Sequence, residues 1–122
     1  GLWGLYAAAL DGRVAAVAAL DTLFSYAPLL EHGARFPASV YLFDVLKNFN
    51  LTHVIASCAP RPVYLRPVDG SRQACTEREV STALQPAREA FSLARTKADC
   101  FLVATTEDGK SIPNWLDEVL YP

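Results

Sequence analysis

Asp69 is the side chain best placed for chemistry. It closes the short apolar run Val63-Tyr64-Leu65-Arg66-Pro67-Val68, so a carboxylate stands at the end of an expected strand. In an open parallel sheet, ligands gather outside the carboxyl ends of the strands. A carboxylate there can orient a histidine that takes the proton from an attacking hydroxyl. It can equally use its oxygens to cap backbone N–H groups in the turn Asp69-Gly70-Ser71, a common job for Asp. Position alone leaves both uses open.

The partners for such chemistry are sparse. The two histidines, His32 and His53, both precede Asp69. His32 follows Leu29-Leu30-Glu31 in a loop, and His53 stands beside Thr52 near the start of a helical stretch. Neither has a nearby carboxylate cluster at metal-ligand spacing, so both read as surface or supporting residues. None of the seven serines sits in a G-x-S-x-G context. Ser25, beside Tyr26 after the first expected strand, can line a cleft or cap a helix. Gly1 and Gly4 do not complete a G-x-G-x-x-G loop, so no nucleotide cofactor is expected. Cys58, Cys75 and Cys100 are odd in number and lack a C-x-x-C pair. They read as reduced, buried thiols, and no zinc or other metal site is expected. Arg61 is placed to pair with a carboxylate on a neighbouring helix.

Composition narrows the class. The chain has 122 residues, 52% of them hydrophobic and 20% charged, with a net charge of −2. That suits one domain or a piece of a larger one, and it is too apolar for disorder. There is no overall basic excess, and the aromatic residues do not interleave with basic ones, so no nucleic-acid partner is expected. Apolar runs are too short for a transmembrane helix, and no membrane partner is expected. Gly1-Leu2-Trp3-Gly4 is not a signal peptide, and Met is wholly absent. The start of the gene product is therefore expected upstream. Nothing assigns a compartment.

These residues must be held by regular elements. Leu2 to Leu10 is Ala-rich and reads as a helix with Leu2, Leu5 or Tyr6, and Ala9 on one face, stopped by Gly12. Arg13 to Leu20 is apolar on both faces, which fits a buried strand. A short helix or irregular piece follows over 24–31, then a loop over 33–39. Val40 to Phe49 and Leu51 to Cys58 carry helical apolar patterns, and Ala59-Pro60-Arg61-Pro62 ends the second. Val63 to Val68 is the second strand. Thr76 and Glu79 form a capping-box pattern that starts a helix, and Pro86 breaks it into two. Cys100 to Thr105 is the third strand. Ser111 caps a last helix with Pro113 in its first turn and Trp115, Leu116, Val119 and Leu120 on its buried face. Strands alternating with helices predict an α/β fold with about three parallel strands and helices on both faces.

Gly1-Leu2-Trp3-Gly4-Leu5-Tyr6-Ala7-Ala8-Ala9-Leu10-Asp11, followed by Arg13-Val14-Ala15-Ala16-Val17, resembles the segment behind the nucleophile elbow of α/β-hydrolases. Ala59-Pro60-Arg61-Pro62-Val63-Tyr64-Leu65, then Pro67-Val68-Asp69, resembles their acid-bearing stretch. The style is that of the acetylxylan-esterase-like and dienelactone-hydrolase-like branch. The resemblance implies a single partial domain over 1–122, the C-terminal half of a partial α/β-hydrolase fold. It implies a carboxylic or acetyl ester as the small-molecule substrate, a serine acyl-enzyme, and Asp69 as the catalytic acid.

Gly1 would be the closing glycine of the elbow or lie just beyond it, which puts the nucleophile before residue 1. Where the family carries its histidine, this chain has Thr105-Thr106-Glu107-Asp108-Gly109-Lys110. A carboxylate is a poor proton acceptor from serine at neutral pH. The chain alone is thus expected to be inactive. The competing expectation is a non-catalytic pseudo-hydrolase module that binds or assembles, with self-association through an exposed sheet edge. A flavodoxin-like binding domain ranks below both, because Asp21-Thr22-Leu23-Phe24-Ser25 makes a poor phosphate loop.

Overall fold

A computed structural model describes residues 1–31, 36–69, 71–105 and 110–122. Helix α1 (Leu2–Leu10) buries Leu2, Leu5 and Ala8, one face of its Ala-rich turn pattern. It stops at Asp11, one residue before the expected glycine, because Asp11 takes an extended conformation with φ −119°. The Asp11 carboxylate accepts the Arg13 backbone N–H at 2.9 Å and binds its guanidinium through both oxygens. That local pairing ends the helix without the left-handed glycine a Schellman motif would need.

Strand β1 (Val17–Thr22) is shifted toward the C-terminus relative to the expected 13–20. Its pairing begins where Val17 donates to the Pro62 carbonyl at 3.0 Å. It continues past Leu20 through a bulge, since Leu20 faces Arg66 and Thr22 faces Pro67, leaving Asp21 as the extra residue. Asp21 is left-handed at φ 48°. Its carboxylate accepts Arg66 Nε at 3.0 Å and Nη2 at 3.1 Å. A charge that read as the end of a strand is kept within it by this cross-strand fork.

The stretch after β1 departs most from expectation. Among its described residues only α2 (Pro28–Glu31), a 3₁₀ turn at Ala38–Val40 and α3 (Val45–Asn48) are regular. The helical pattern over 40–49 is not realised as one helix: Phe43 is 95% exposed, and Tyr41, Leu42 and Leu46 are exposed with it. An amphipathic face with nothing to pack against does not hold a helix, since packing supplies most helical stability.

The remaining elements follow the sequence closely. They are α4 (Leu51–Ser57), β2 (Val63–Pro67), α5 (Glu77–Ala83), α6 (Gln85–Leu93), β3 (Phe101–Val103) and α7 (Ile112–Leu120). Thr76 and Glu79 form the expected reciprocal cap, and Pro86 sits in the first turn of α6. Ser111 is the N-cap of α7, but its side chain makes no capping hydrogen bond. The third strand is shorter than the expected 100–105, because Ala98–Cys100 forms a 3₁₀ turn just ahead of it.

The three strands form one parallel sheet in the order β1-β2-β3. Side chains alternate across it, as the period of two requires. Val17, Ala19, Val63, Leu65, Phe101 and Val103 face one layer, and Ala18, Leu20, Tyr64 and Leu102 face the other. The first layer holds α1, α4, α5 and α6, packed through Leu5, Leu51, Ile55, Val80, Leu84 and Phe91. The second holds α7 alone, anchored by fully buried Trp115. Among the described residues, β1 and β3 each pair only with β2, so both outer edges of the sheet carry no strand. No helix among the described residues is long and apolar enough to cross a membrane.

Candidate functional site at the ends of β1 and β2

The loops after β1 and β2 enclose a cleft of about 450 Å³. Phe24, Ser25, Ala27 and Pro28 form one wall, Asp69, Ala74 and Cys75 the floor, and Arg78, Glu79, Thr82 and Ala83 of α5 the other wall. This is the crevice where an open parallel sheet places its ligands.

The first wall is held rigidly. Phe24, Ser25 and Tyr26 are all buried. The side chain of Asn50, N-cap of α4, ties this loop to the helix layer. Its Oδ1 accepts the Tyr26 N–H at 2.8 Å and the Leu51 N–H at 2.7 Å. Two backbone donors on one oxygen fix the amide's orientation, so Nδ2 is the group that donates to Ser25 Oγ at 2.8 Å. Ser25 Oγ also accepts the Ala27 N–H at 3.2 Å. Of the two roles weighed from sequence, Ser25 lines the cleft; instead of capping a helix it holds the turn ahead of α2 through the Ala27 N–H. The Tyr26 hydroxyl meets that of Tyr6 at 2.9 Å, and burial, with the Tyr6 hydroxyl beside it, pushes its ionisation far above the ordinary phenol range.

Asp69 lies just after β2, half-buried on the cleft floor. Its Oδ1 accepts the Ser71 N–H at 2.8 Å, the Ser71 hydroxyl at 2.7 Å and the Gln73 N–H at 2.9 Å. The turn-capping use is therefore present in full. These three donors also fix the carboxylate on its turn, which any orienting acid requires. Beside it, burial pushes the Cys75 thiol up to about 11, with Asp69 and Glu79 adding to the shift. Cys75 is a protonated, inert wall at neutral pH.

The histidines do not join this cleft. His53 is exposed on α4, and its Nδ1 accepts the Asn50 N–H at 3.0 Å. It occupies the third helical position of a capping box, reciprocating Asn50. His32 lies outside the described residues, as do Gly70 and the stretch Thr106-Glu107-Asp108-Gly109. Arg61 does not make the expected carboxylate pair its main contact. It donates to the backbone carbonyls of Asp11 at 2.8 Å and Cys58 at 3.2 Å, bracing α1 against the turn before β2. No group of His, Cys, Asp and Glu among the described residues is arranged to hold a metal ion. All three thiols are free, as expected; Cys58 and Cys75 are buried, whereas Cys100 is only half-buried.

Sequence reasoning missed Asn50 and Arg78. Asn50 had a signal, Asn50-Leu51-Thr52-His53, but the usual capping box carries Glu or Gln where His53 stands. Arg78 follows the N-cap of α5 and is indistinguishable in sequence from a solvated helix charge. Only the packing of α5 beside the β1 loop places it on the same cleft as Ser25.

A second close approach lies where α1 begins. A Cβ on Gly1 would sit 2.6 Å from Thr22 Cβ and 2.9 Å from its Oγ1, so only glycine fits there. The helix start is pressed against the carboxyl end of β1. Comparison with protein-family models, with curated proteins and with solved structures finds no match for this chain, so its function rests on the geometry of this cleft and its borders.

Proposed function

We propose that these residues form the acid-bearing part of a serine-hydrolase-type α/β fold acting on carboxylic or acetyl esters, with Asp69 as the acid and no turnover by the 122 residues alone. The observation that carries the reading is Asp69 itself. It stands immediately after the central strand, fixed by three donors on one oxygen and open to a cleft at the strand ends. The tight fit of Gly1 against Thr22 lends further support, because a nucleophile elbow needs glycine where its helix starts against a strand.

Among the described residues no serine is paired with a histidine, and His53 caps a helix outside the cleft. Nucleophile and base would then come from chain beyond these residues. Turnover of 4-nitrophenyl acetate by the 122-residue chain and by the full gene product tests this. The proposal expects buffer-level turnover from the first. It expects turnover from the second, lost after fluorophosphonate labelling of a serine outside residues 1–122. Labelling at Ser25 or at another serine of this chain would contradict it.

A second reading is a non-catalytic module that binds or assembles. The outer edge of β1, which pairs with no other strand among the described residues, favours it, together with the partly buried Ala16, Ala18 and Leu20. Concentration-dependent association of the 122-residue chain is its expected signature.

A further inference from the structure

The cleft between the β1 loop and α5 holds two polar groups with unused capacity. Ser25 is 4% exposed, and its Oγ accepts from Ala27 and Asn50. No described residue accepts the proton of this hydroxyl. A buried hydroxyl accepts at most two hydrogen bonds and retains one to give, so an acceptor in the cleft would complete it. Arg78 lines the same cleft and forms no ion pair with a described residue. The two carboxylates that line the cleft, Asp69 and Glu79, are engaged by donors of their own turns. Asp69 Oδ1 accepts three donors, and Glu79 Oε2 accepts the Thr76 N–H at 2.9 Å together with the Thr76 hydroxyl. The rest of the lining is largely apolar, with Phe24, Ala27, Pro28 and Ala83. A cavity of this size suits a small molecule with an apolar body and one fixed polar head.

We propose that this cleft binds a short-chain aliphatic carboxylate, its head group accepting from the Ser25 hydroxyl and the Arg78 guanidinium and its alkyl chain lying on Phe24, Pro28 and Ala83. A guanidinium fork matches a planar carboxylate, and Arg78 is the cation that offsets Asp69 and Glu79 in the lining of the cleft. Binding needs the cleft and does not depend on Asp69 acting as a catalytic acid.

Hexanoate titrated into the isotopically labelled 122-residue chain, followed by amide spectra, tests the proposal. Saturable shifts confined to residues 24–28 and 74–83, at millimolar affinity, are expected. Arg78→Gln should weaken binding about tenfold or more, with the remainder of the spectrum showing the fold intact. Asp69→Asn keeps the turn acceptor and removes a like charge from the cleft floor, so affinity should rise. Hexanoate shifts that are absent, or insensitive to Arg78→Gln, would overturn the proposal. So would 1-hexanol binding as tightly as hexanoate, which would mark an apolar cleft only. If Asp69→Asn leaves ester turnover of the full gene product intact while Arg78→Gln still weakens hexanoate binding, the catalytic reading fails and this one stands.

Discussion

The two faces of the sheet are built to different standards. One carries four helices and a continuous core, with Leu5, Leu51, Ile55, Leu65 and Leu84 fully buried. The other carries one helix among the described residues, and of that helix's side chains only Trp115 is fully buried, with Ile112, Leu116 and Val119 packed partly buried beside it. Trp115 meets Tyr64 edge-on at 5.5 Å, and its Nε1 donates to the Asp99 carbonyl at 2.8 Å. Tyr64 in turn donates to the Lys110 carbonyl at 3.1 Å. Lys110 pairs with Glu118 and, more loosely, with Asp99. The contrast separates parts that fold by shared burial from a part that folds by one anchor. The thick face can spread a defect over many neighbours; the thin face cannot.

Substitutions can break or sharpen that contrast. The largest effect is expected from Trp115→Ala, about 3–5 kcal/mol by denaturant unfolding. Near-ultraviolet dichroism from Tyr64 should fall with it while the helix signal persists. Leu84→Ala on the thick face should cost about 2–5 kcal/mol and lower all signals together. If Trp115→Ala behaved like Leu84→Ala in every probe, the two faces would not differ in kind. Asn50→Ala should cost about 0.5–2 kcal/mol as a lost cap and loosen the Ser25 wall of the cleft. Amide exchange at Tyr26 and Leu51, both donors to Asn50, would report it.

Smaller effects concern the thin face and one thiol. Ala18→Lys should remove any self-association seen by sedimentation while changing stability by about 1 kcal/mol or less. Association that survives it would place the contact elsewhere. For Cys75 the folded thiol ionises near 11 against an ordinary 9.0, so the unfolded chain loses its proton first. Its contribution to stability is intact below pH 9.0 and declines as pH rises toward 11. Cys75→Ala should flatten that alkaline decline, and urea midpoints measured across this range check it.

The contrast also explains what could be read in the sequence. Elements framed by local chemistry were legible: the Thr76–Glu79 box, Pro86 in the first turn of α6, and the alternation through Val63-Tyr64-Leu65. Elements defined by distant partners were not. Asp21 stays in β1 because Arg66, 45 positions away, clasps it. The apolar pattern of 40–49 suggested a helix that the packing does not complete. Asp69 was legible as a carboxylate at a strand end, but the triple cap on its oxygen was one of two open uses. Ser25 was legible as a cleft residue; that Arg78 lines the same cleft was not, because no local pattern encodes which elements meet.

The most direct test of the Asp69 assignment is kcat/KM of the full gene product on 4-nitrophenyl acetate, with and without Asp69→Asn. Asparagine retains the oxygen that caps the turn but not the charge that would orient an imidazole. The account predicts a fall of about 10²–10⁴-fold in kcat with the fold unchanged. A variant as active as the parent would contradict it and leave Asp69 a turn residue alone.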